Sequence, residues 1–124
     1  MKIKRPRNLN LFTIRFPIPA LASILHRLSG FILFLMIPLI LWGFHLSLDS
    51  EQGFNDLQQI FTTPWVKFVV WVILSAFLYH LVAGIRHLLM DIGVGEGLKS
   101  GKLSAILTLA LAAVLIILAG IWLW

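Results

Sequence analysis

Long apolar runs alternate with short polar segments along this chain, and the runs predict its structural class. Stretches 28–48, 68–85 and 103–124 contain no Asp, Glu, Lys or Arg. A helix needs roughly 20 apolar residues to cross the hydrocarbon core of a membrane. Each stretch therefore predicts a membrane-spanning helix, and the middle one gains length from its flanks. The first polar segment, near 49–64, separates the first two runs.

Prolines and glycines indicate where these helices begin and end. Pro17 and Pro19 hold the backbone extended, so the first helix is expected to begin near Ala20. Pro64 suits the first turn of the second helix, which the glycines after Asp91 end. We predict an all-α integral membrane protein with three transmembrane helices, in one membrane-anchor domain of residues 1–124. The predicted spans are about 22–48, 65–91 and 103–124.

Composition supports this class and limits the chemistry of the chain. Hydrophobic residues make up 60% of it, whereas a soluble domain is usually nearer half apolar. We therefore predict a membrane unit without a soluble domain. The chain has no cysteine, which excludes disulfides and cysteine-ligated iron–sulfur clusters within it. A redox centre here must use histidine or another ligand.

Charge distribution predicts the orientation of the spans. The net charge is +5, and the residues before the first span are basic and contain no acid. The first polar segment is acidic, and basic residues return in the second. Because Lys and Arg stay on the cytoplasmic side, we expect the N-terminus inside and the C-terminus outside. The basic N-terminus indicates attraction to anionic membrane lipid rather than nucleic-acid binding.

Titratable residues gather at the inner end of the second span, in HLVAGIRHLLMD at 80–91. A helix turns about 100° per residue, so His80, Gly84, His87 and Asp91 fall on one stripe. Ionisable groups inside a span normally face a bundle interior or a cavity. Three interpretations of His80 remain open: a neutral histidine bonded to a neighbouring helix, a proton-relay group, or an axial haem ligand. Gly84 favours the third, because it leaves room for a flat macrocycle.

A second polar stripe lies at the start of the first span, in SILHRLSG at 23–30. Arg27 taken alone is an interfacial anchor. Arg27 and His26 nevertheless lie near the inner edge of whatever His80 would ligate, where two haem propionates would need partners. From the helical rise per residue, His45 lies about 18 Å farther toward the outside than His80. The two histidines therefore cannot ligate the same iron. A six-coordinate haem would therefore need a histidine from another chain.

These two segments resemble the SxxHRxxG and HxxxGxRHLxxD signatures of the cytochrome b membrane-anchor subunit of succinate dehydrogenase (respiratory complex II). The resemblance extends over essentially the whole chain and includes the basic start RP at residues 5–6. The Ser-Pro-His stretch that follows RP in many members is absent, and RNLNLFTIRFP stands there instead.

This resemblance implies an anchor bundle with a second hydrophobic subunit, on which an iron–sulfur subunit and a flavoprotein subunit dock from the inside. It implies one haem b shared between the two anchors and ubiquinone as the electron-accepting substrate, in the bacterial inner (cytoplasmic) membrane. By position, His80 matches the haem iron ligand. Ser23 and Arg27 match quinone-site residues, and His26 and Arg27 lie toward the haem propionates. The dicarboxylate site is expected on another subunit.

Three alternatives remain from the sequence. One is a fumarate reductase anchor that oxidises quinol. Another is a small proton-conducting or transport subunit that uses His80, His87 and Asp91. The last is a structural anchor whose polar stripe only holds helices together.

Overall fold

The computed structural model describes residues 9–10 and 12–124, so the basic residues before Leu9 and the match at 5–6 lie outside the described part. Within that part the chain is all-helical, as predicted. Three of its helices are long and apolar enough to cross a membrane. The four helices are Ile18–Asp49 (α1), Glu51–Ile60 (α2), Pro64–Asp91 (α3) and Leu98–Leu123 (α4).

The helix boundaries follow the sequence prediction closely for α3 and less closely for α1 and α4. α3 begins at Pro64 and ends at Asp91, as expected. α1 begins at Ile18, before the expected Ala20, because Pro19 fits the first turn, where no backbone N–H is needed. α4 begins at Leu98 rather than 103, so its first turn is polar.

A short helix that the sequence analysis did not predict, α2, occupies the first polar segment. Ser50 caps it, since its hydroxyl oxygen accepts a 2.9 Å bond from the Gly53 N–H. Gly53 lies against the last turns of α1, where a Cβ would be 2.5 Å from the carbonyl oxygen of Leu46. The close approach requires glycine here, and it packs α2 against α1.

α3 lies between α1 and α4, and small residues allow the helices to approach closely. Ala22, Ala83 and Ala112 are almost completely buried, as is typical of membrane helix interfaces. Several hydrogen bonds join α3 to its neighbours, two of them near the middle of the helix. The Tyr79 hydroxyl donates to the Ala22 carbonyl of α1 at 2.6 Å. The Trp71 indole N–H donates to a carbonyl of α4 at 2.9 Å.

The predicted glycine turn joins α3 to α4. Gly93 has a φ of 87° and Gly95 a φ of 77°, which favour glycine. The Gly93 N–H bonds the Met90 carbonyl and the Val94 N–H bonds the Leu89 carbonyl, which closes α3 with a Schellman motif.

Most large apolar side chains remain exposed on the outside of the helices. In the most apolar 18-residue stretch of each span, at most 17% of the residues are buried. Such surfaces suit contact with lipid or with another apolar chain. The fold therefore positions its polar residues between helices and leaves its outer faces apolar.

Candidate functional site

Three histidines from α1 and α3 form the histidine cluster: His26, His80 and His87. The rings of His26 and His80 stack with centroids 4.2 Å apart and planes 12° apart. The rings of His26 and His87 are 4.9 Å apart and tilted by 39°. The two segments singled out in the sequence thus meet directly, because antiparallel packing brings the start of α1 against the end of α3.

Hydrogen bonds to α1 hold one edge of the His80 ring. Its Nδ1 lies 3.1 Å from the Ser29 hydroxyl oxygen and 3.2 Å from the His26 carbonyl oxygen. Ser29 is buried, and its hydroxyl also donates to that carbonyl at 2.7 Å. The Nε2 of His80 makes no hydrogen bond to any described residue. Contacts with α1 therefore pair the Nδ1 of His80, and its Nε2 is left free to bind a ligand.

Glycines make room for both stacked rings. A Cβ on Gly30 would lie 2.9 Å from Cε1 of His80, closer than such contacts normally occur. A Cβ on Gly84 would lie 3.5 Å from Nε2 of His26, an ordinary contact. The space beside Gly84, where a macrocycle was expected, is bordered by the His26 ring. Gly30 is therefore the tighter requirement of the two.

Two ring nitrogens in the cluster are buried without partners: Nε2 of His26 and Nε2 of His87. Leaving a buried polar atom unpaired costs about 1–3 kcal/mol. Such atoms suit a ligand that brings its own acceptors. Among the described residues, no group of three or more His, Cys, Asp or Glu side chains is arranged to hold a metal ion. Haem differs, since its porphyrin supplies the equatorial ligands and protein supplies axial ones. The residues present fit that group.

The other residues that the sequence analysis singled out are not part of the histidine cluster. Ser23 is half-buried and Arg27 exposed on α1, and neither side chain bonds another described residue. Asp91 is exposed at the end of α3. His45 is exposed, and 19 residues separate it along α1 from His26. At the helical rise this is about 28 Å, so His45 is remote from the cluster.

Arg86 takes part in packing that the sequence analysis did not anticipate. Its side chain is only 6% exposed. Its Nε donates to the Ser104 hydroxyl at 3.0 Å and its Nη2 to the Gly101 carbonyl at 3.2 Å. Both partners lie in the polar first turns of α4, which explains why α4 begins before the apolar run. A pattern of apolar residues gives no signal for this contact.

A cavity of about 240 Å³ lies between α3 and α4, apart from the histidine cluster. Its lining is almost wholly apolar and includes Val82, Leu89 and Leu111. None of the three clustered histidines lines it. The cavity is therefore not the candidate haem site.

Comparison with known proteins identifies the family of the chain. Residues 1–119 match the succinate dehydrogenase/fumarate reductase transmembrane subunit family. The chain belongs to this family. It is 45% identical to a succinate dehydrogenase cytochrome b556 subunit of Coxiella burnetii, over the full length of both. A subunit of the same name from Paracoccus denitrificans is 31% identical, over 92% of this chain and 88% of its own. A cytochrome b560 subunit of Marchantia polymorpha is 31% identical, over 95% and 90%.

Family membership confirms the resemblance inferred from the two signatures. It also agrees with the three apolar helices, so the chain is a multi-pass membrane protein. Its bacterial relatives indicate the inner membrane. It is a membrane subunit of the succinate dehydrogenase cytochrome b type.

Proposed function

We propose that this chain is the haem b-binding membrane anchor of a succinate:ubiquinone oxidoreductase and forms part of its quinone-reduction site. The observation that carries the proposal is the His80 ring, held at Nδ1 by α1 with Nε2 unpaired, beside two orphaned histidine nitrogens. Relatives named as cytochrome b subunits support it.

His80 supplies one axial ligand through Nε2. The second comes from the second hydrophobic anchor subunit, because His45 is too remote and the other two histidines, His26 and His87, are assigned to the propionates. His26 and Arg27 serve the propionates, and the unpaired Nε2 of His87 offers one more donor there. When bound, haem b supplies a one-electron redox centre within the membrane.

Ser23 and Arg27 bind quinone at the inner end of α1. Reduction adds two electrons and two protons to a quinone, and negative charge develops on its oxygens. A hydroxyl donor and a guanidinium one helical turn apart stabilise that charge. An exposed Arg27 is free to reach a ligand that lies partly on a partner chain.

The catalytic subunits dock on the inner side of this anchor. The distribution of charge in the sequence supports an inside N-terminus, since the residues before the first span are basic without any acid, whereas segment 49–64 contains acids and no Lys or Arg. Succinate is then oxidised at flavin in the flavoprotein subunit. Electrons pass through the iron–sulfur subunit to ubiquinone, so the dicarboxylate site is not on this chain.

A fumarate reductase anchor is the second candidate, because the matching family includes both kinds of subunit. The two share the fold and differ in the direction of electron flow. The relatives named as succinate dehydrogenase subunits favour the first candidate. Family membership favours either of them over a proton-conducting subunit.

Substitution of the proposed ligand tests the function. His80→Leu in the assembled complex is expected to remove or strongly weaken the haem absorption bands, while the more apolar helix still inserts. His45→Leu is the matched control on α1 and is expected to keep the full spectrum. A His80→Leu complex with unchanged haem bands would show that this residue is not the ligand.

A further inference from the structure

The hydrogen bonds around His80 determine where its ring proton lies. The Ser29 hydroxyl has one proton, and it donates this proton to the His26 carbonyl at 2.7 Å. Toward Nδ1 of His80, at 3.1 Å, the hydroxyl oxygen can then only accept. The His26 carbonyl, 3.2 Å from the same nitrogen, also only accepts. Nδ1 therefore carries the proton, and the neutral ring has a bare lone pair on Nε2.

We propose that Ser29 is a positioning residue for the haem ligand: its buried hydroxyl holds the Nδ1–H of His80 and so presents Nε2 to the iron. This inference rests on the proposed function, because it needs His80 as the axial ligand. In this role Ser29 acts through the His80 ring, which its hydroxyl contacts.

Burial makes this contact selective. Ser29 is 5% exposed, so water does not readily replace its hydroxyl. Next to this contact, Gly30 leaves space for the adjoining edge of the ring, since a Cβ there would lie 2.9 Å from Cε1 and 3.4 Å from Nδ1. The His80 ring thus packs against Gly30 and is hydrogen-bonded by Ser29. These two contacts determine the rotation and the tautomer of the ring.

A hydrogen bond to the outer nitrogen of a ligating histidine also changes the metal. Such a bond raises the basicity of the ligand. A more basic ligand stabilises ferric over ferrous iron and lowers the midpoint potential of the haem. Outer partners of metal ligands typically contribute 10- to 100-fold in metal affinity. Loss of the Ser29 hydroxyl is therefore expected to raise the potential and to weaken haem retention.

The experiment compares Ser29→Ala with Ser29→Thr, which keeps a hydroxyl, in the assembled membrane complex. Ser47→Ala is the matched control, because Ser47 lies on the same helix and donates to the carbonyl three residues before it at the same 2.7 Å. His80→Leu is measured in parallel. The readouts are the midpoint potential of the haem, the electron paramagnetic resonance spectrum of its ferric form, and haem content per complex.

Ser29→Ala is expected to raise the potential, shift the ferric spectrum and lower the affinity for haem, by less than the roughly 10- to 100-fold typical of a lost outer partner because the His26 carbonyl still accepts from Nδ1. Ser29→Thr should stay near wild type, and Ser47→Ala should match it. Unchanged potential and spectrum in Ser29→Ala would overturn the inference. Equal losses in the Ala and Thr variants would also overturn it, since the position would then respond to size and not to the hydroxyl. Failure of the proposed function is distinct, because the haem would then survive in His80→Leu.

Discussion

Gly30 shows how a missing side chain sets the position of a functional one. His80 packs its ring edge where a Cβ on Gly30 would be, 2.9 Å away. The ring cannot retreat easily, since Ser29 and the His26 carbonyl hold its Nδ1. One added methyl group on α1 is therefore sufficient to displace a residue on α3.

Gly30→Ala is expected to disturb the haem without preventing insertion. The alanine must push the His80 ring aside, so haem content should fall and the absorption bands should shift. Gly43→Ala is the matched control on α1, because its Cβ would meet only Leu57 at 3.9 Å. Reduced-minus-oxidised spectra of both complexes check this. A normal spectrum in Gly30→Ala would mean that the ring adopts another position when haem is bound.

Ser23 and Arg27 allow a separate test of the quinone site. Ser23→Ala and Arg27→Leu are expected to slow succinate-driven quinone reduction, while reduction of an artificial acceptor upstream survives. The loss should be about 0.5–1.5 kcal/mol for the neutral hydroxyl and 1.5–3 kcal/mol for the charged donor. Steady-state kinetics with each acceptor measure it. Unchanged quinone kinetics and inhibitor sensitivity in Ser23→Ala would show that this serine does not bind quinone and serves only in helix packing.

The helices contact one another mainly through small residues, and a few hydrogen bonds join them. α3 is joined to α1 through Tyr79 and to α4 through Trp71 and Arg86. Arg86 is the unusual member, because burying a charge is costly unless the group is paired or hydrogen-bonded. Its two hydrogen bonds offset that cost, at about 1.5–3 kcal/mol each.

Arg86→Lys is expected to destabilise the complex more than Arg86→Leu. Lysine keeps the charge but lacks the planar fork that reaches Ser104 and Gly101 together. Leucine removes both the bonds and the cost of burying the charge, and the Gly101 carbonyl still accepts from Ser104 at 3.1 Å. Thermal unfolding of the solubilised complexes compares the two variants. A lower midpoint for Arg86→Leu would show that the charge itself has a partner on another chain.

Over the whole molecule, the proposed haem site is incomplete on this chain. All three histidines of the cluster have an unpaired Nε2, His80 alone is proposed as an iron ligand, and the outer faces remain apolar. A low-spin haem needs two axial ligands, and lipid cannot supply the second. In the proposed function, a partner subunit in the same membrane supplies the second ligand and covers part of the apolar surface.

Expressed alone, the chain is therefore expected to bind haem poorly, and co-expression with the second anchor subunit should restore a six-coordinate spectrum. Absorption spectra of purified chain, with and without the partner, measure this. Tight low-spin haem in the isolated monomeric chain would contradict a shared site.

The membrane class, the three spans and the two segments that hold the histidine cluster can all be inferred from the amino-acid sequence. Runs of apolar residues decide insertion almost locally, since each helix satisfies its own backbone in lipid. The ends of α3 were likewise predictable, because Pro64 and Gly93 act on the adjacent backbone. The four-residue and three-residue spacings placed His80 and His87 on one face for the same reason.

Tertiary structure alone decided the contacts between helices. The stacking of His26 on His80, the bond from Ser29 and the fit at Gly30 depend on how α1 meets α3. The start of α4 depends on Arg86, which lies 12 residues before Leu98. α2 depends on close packing of Gly53 against α1, since ten mostly polar residues are too few to hold a helix alone. Such interactions depend on how whole helices pack against one another, so the pattern within one helix does not predict them.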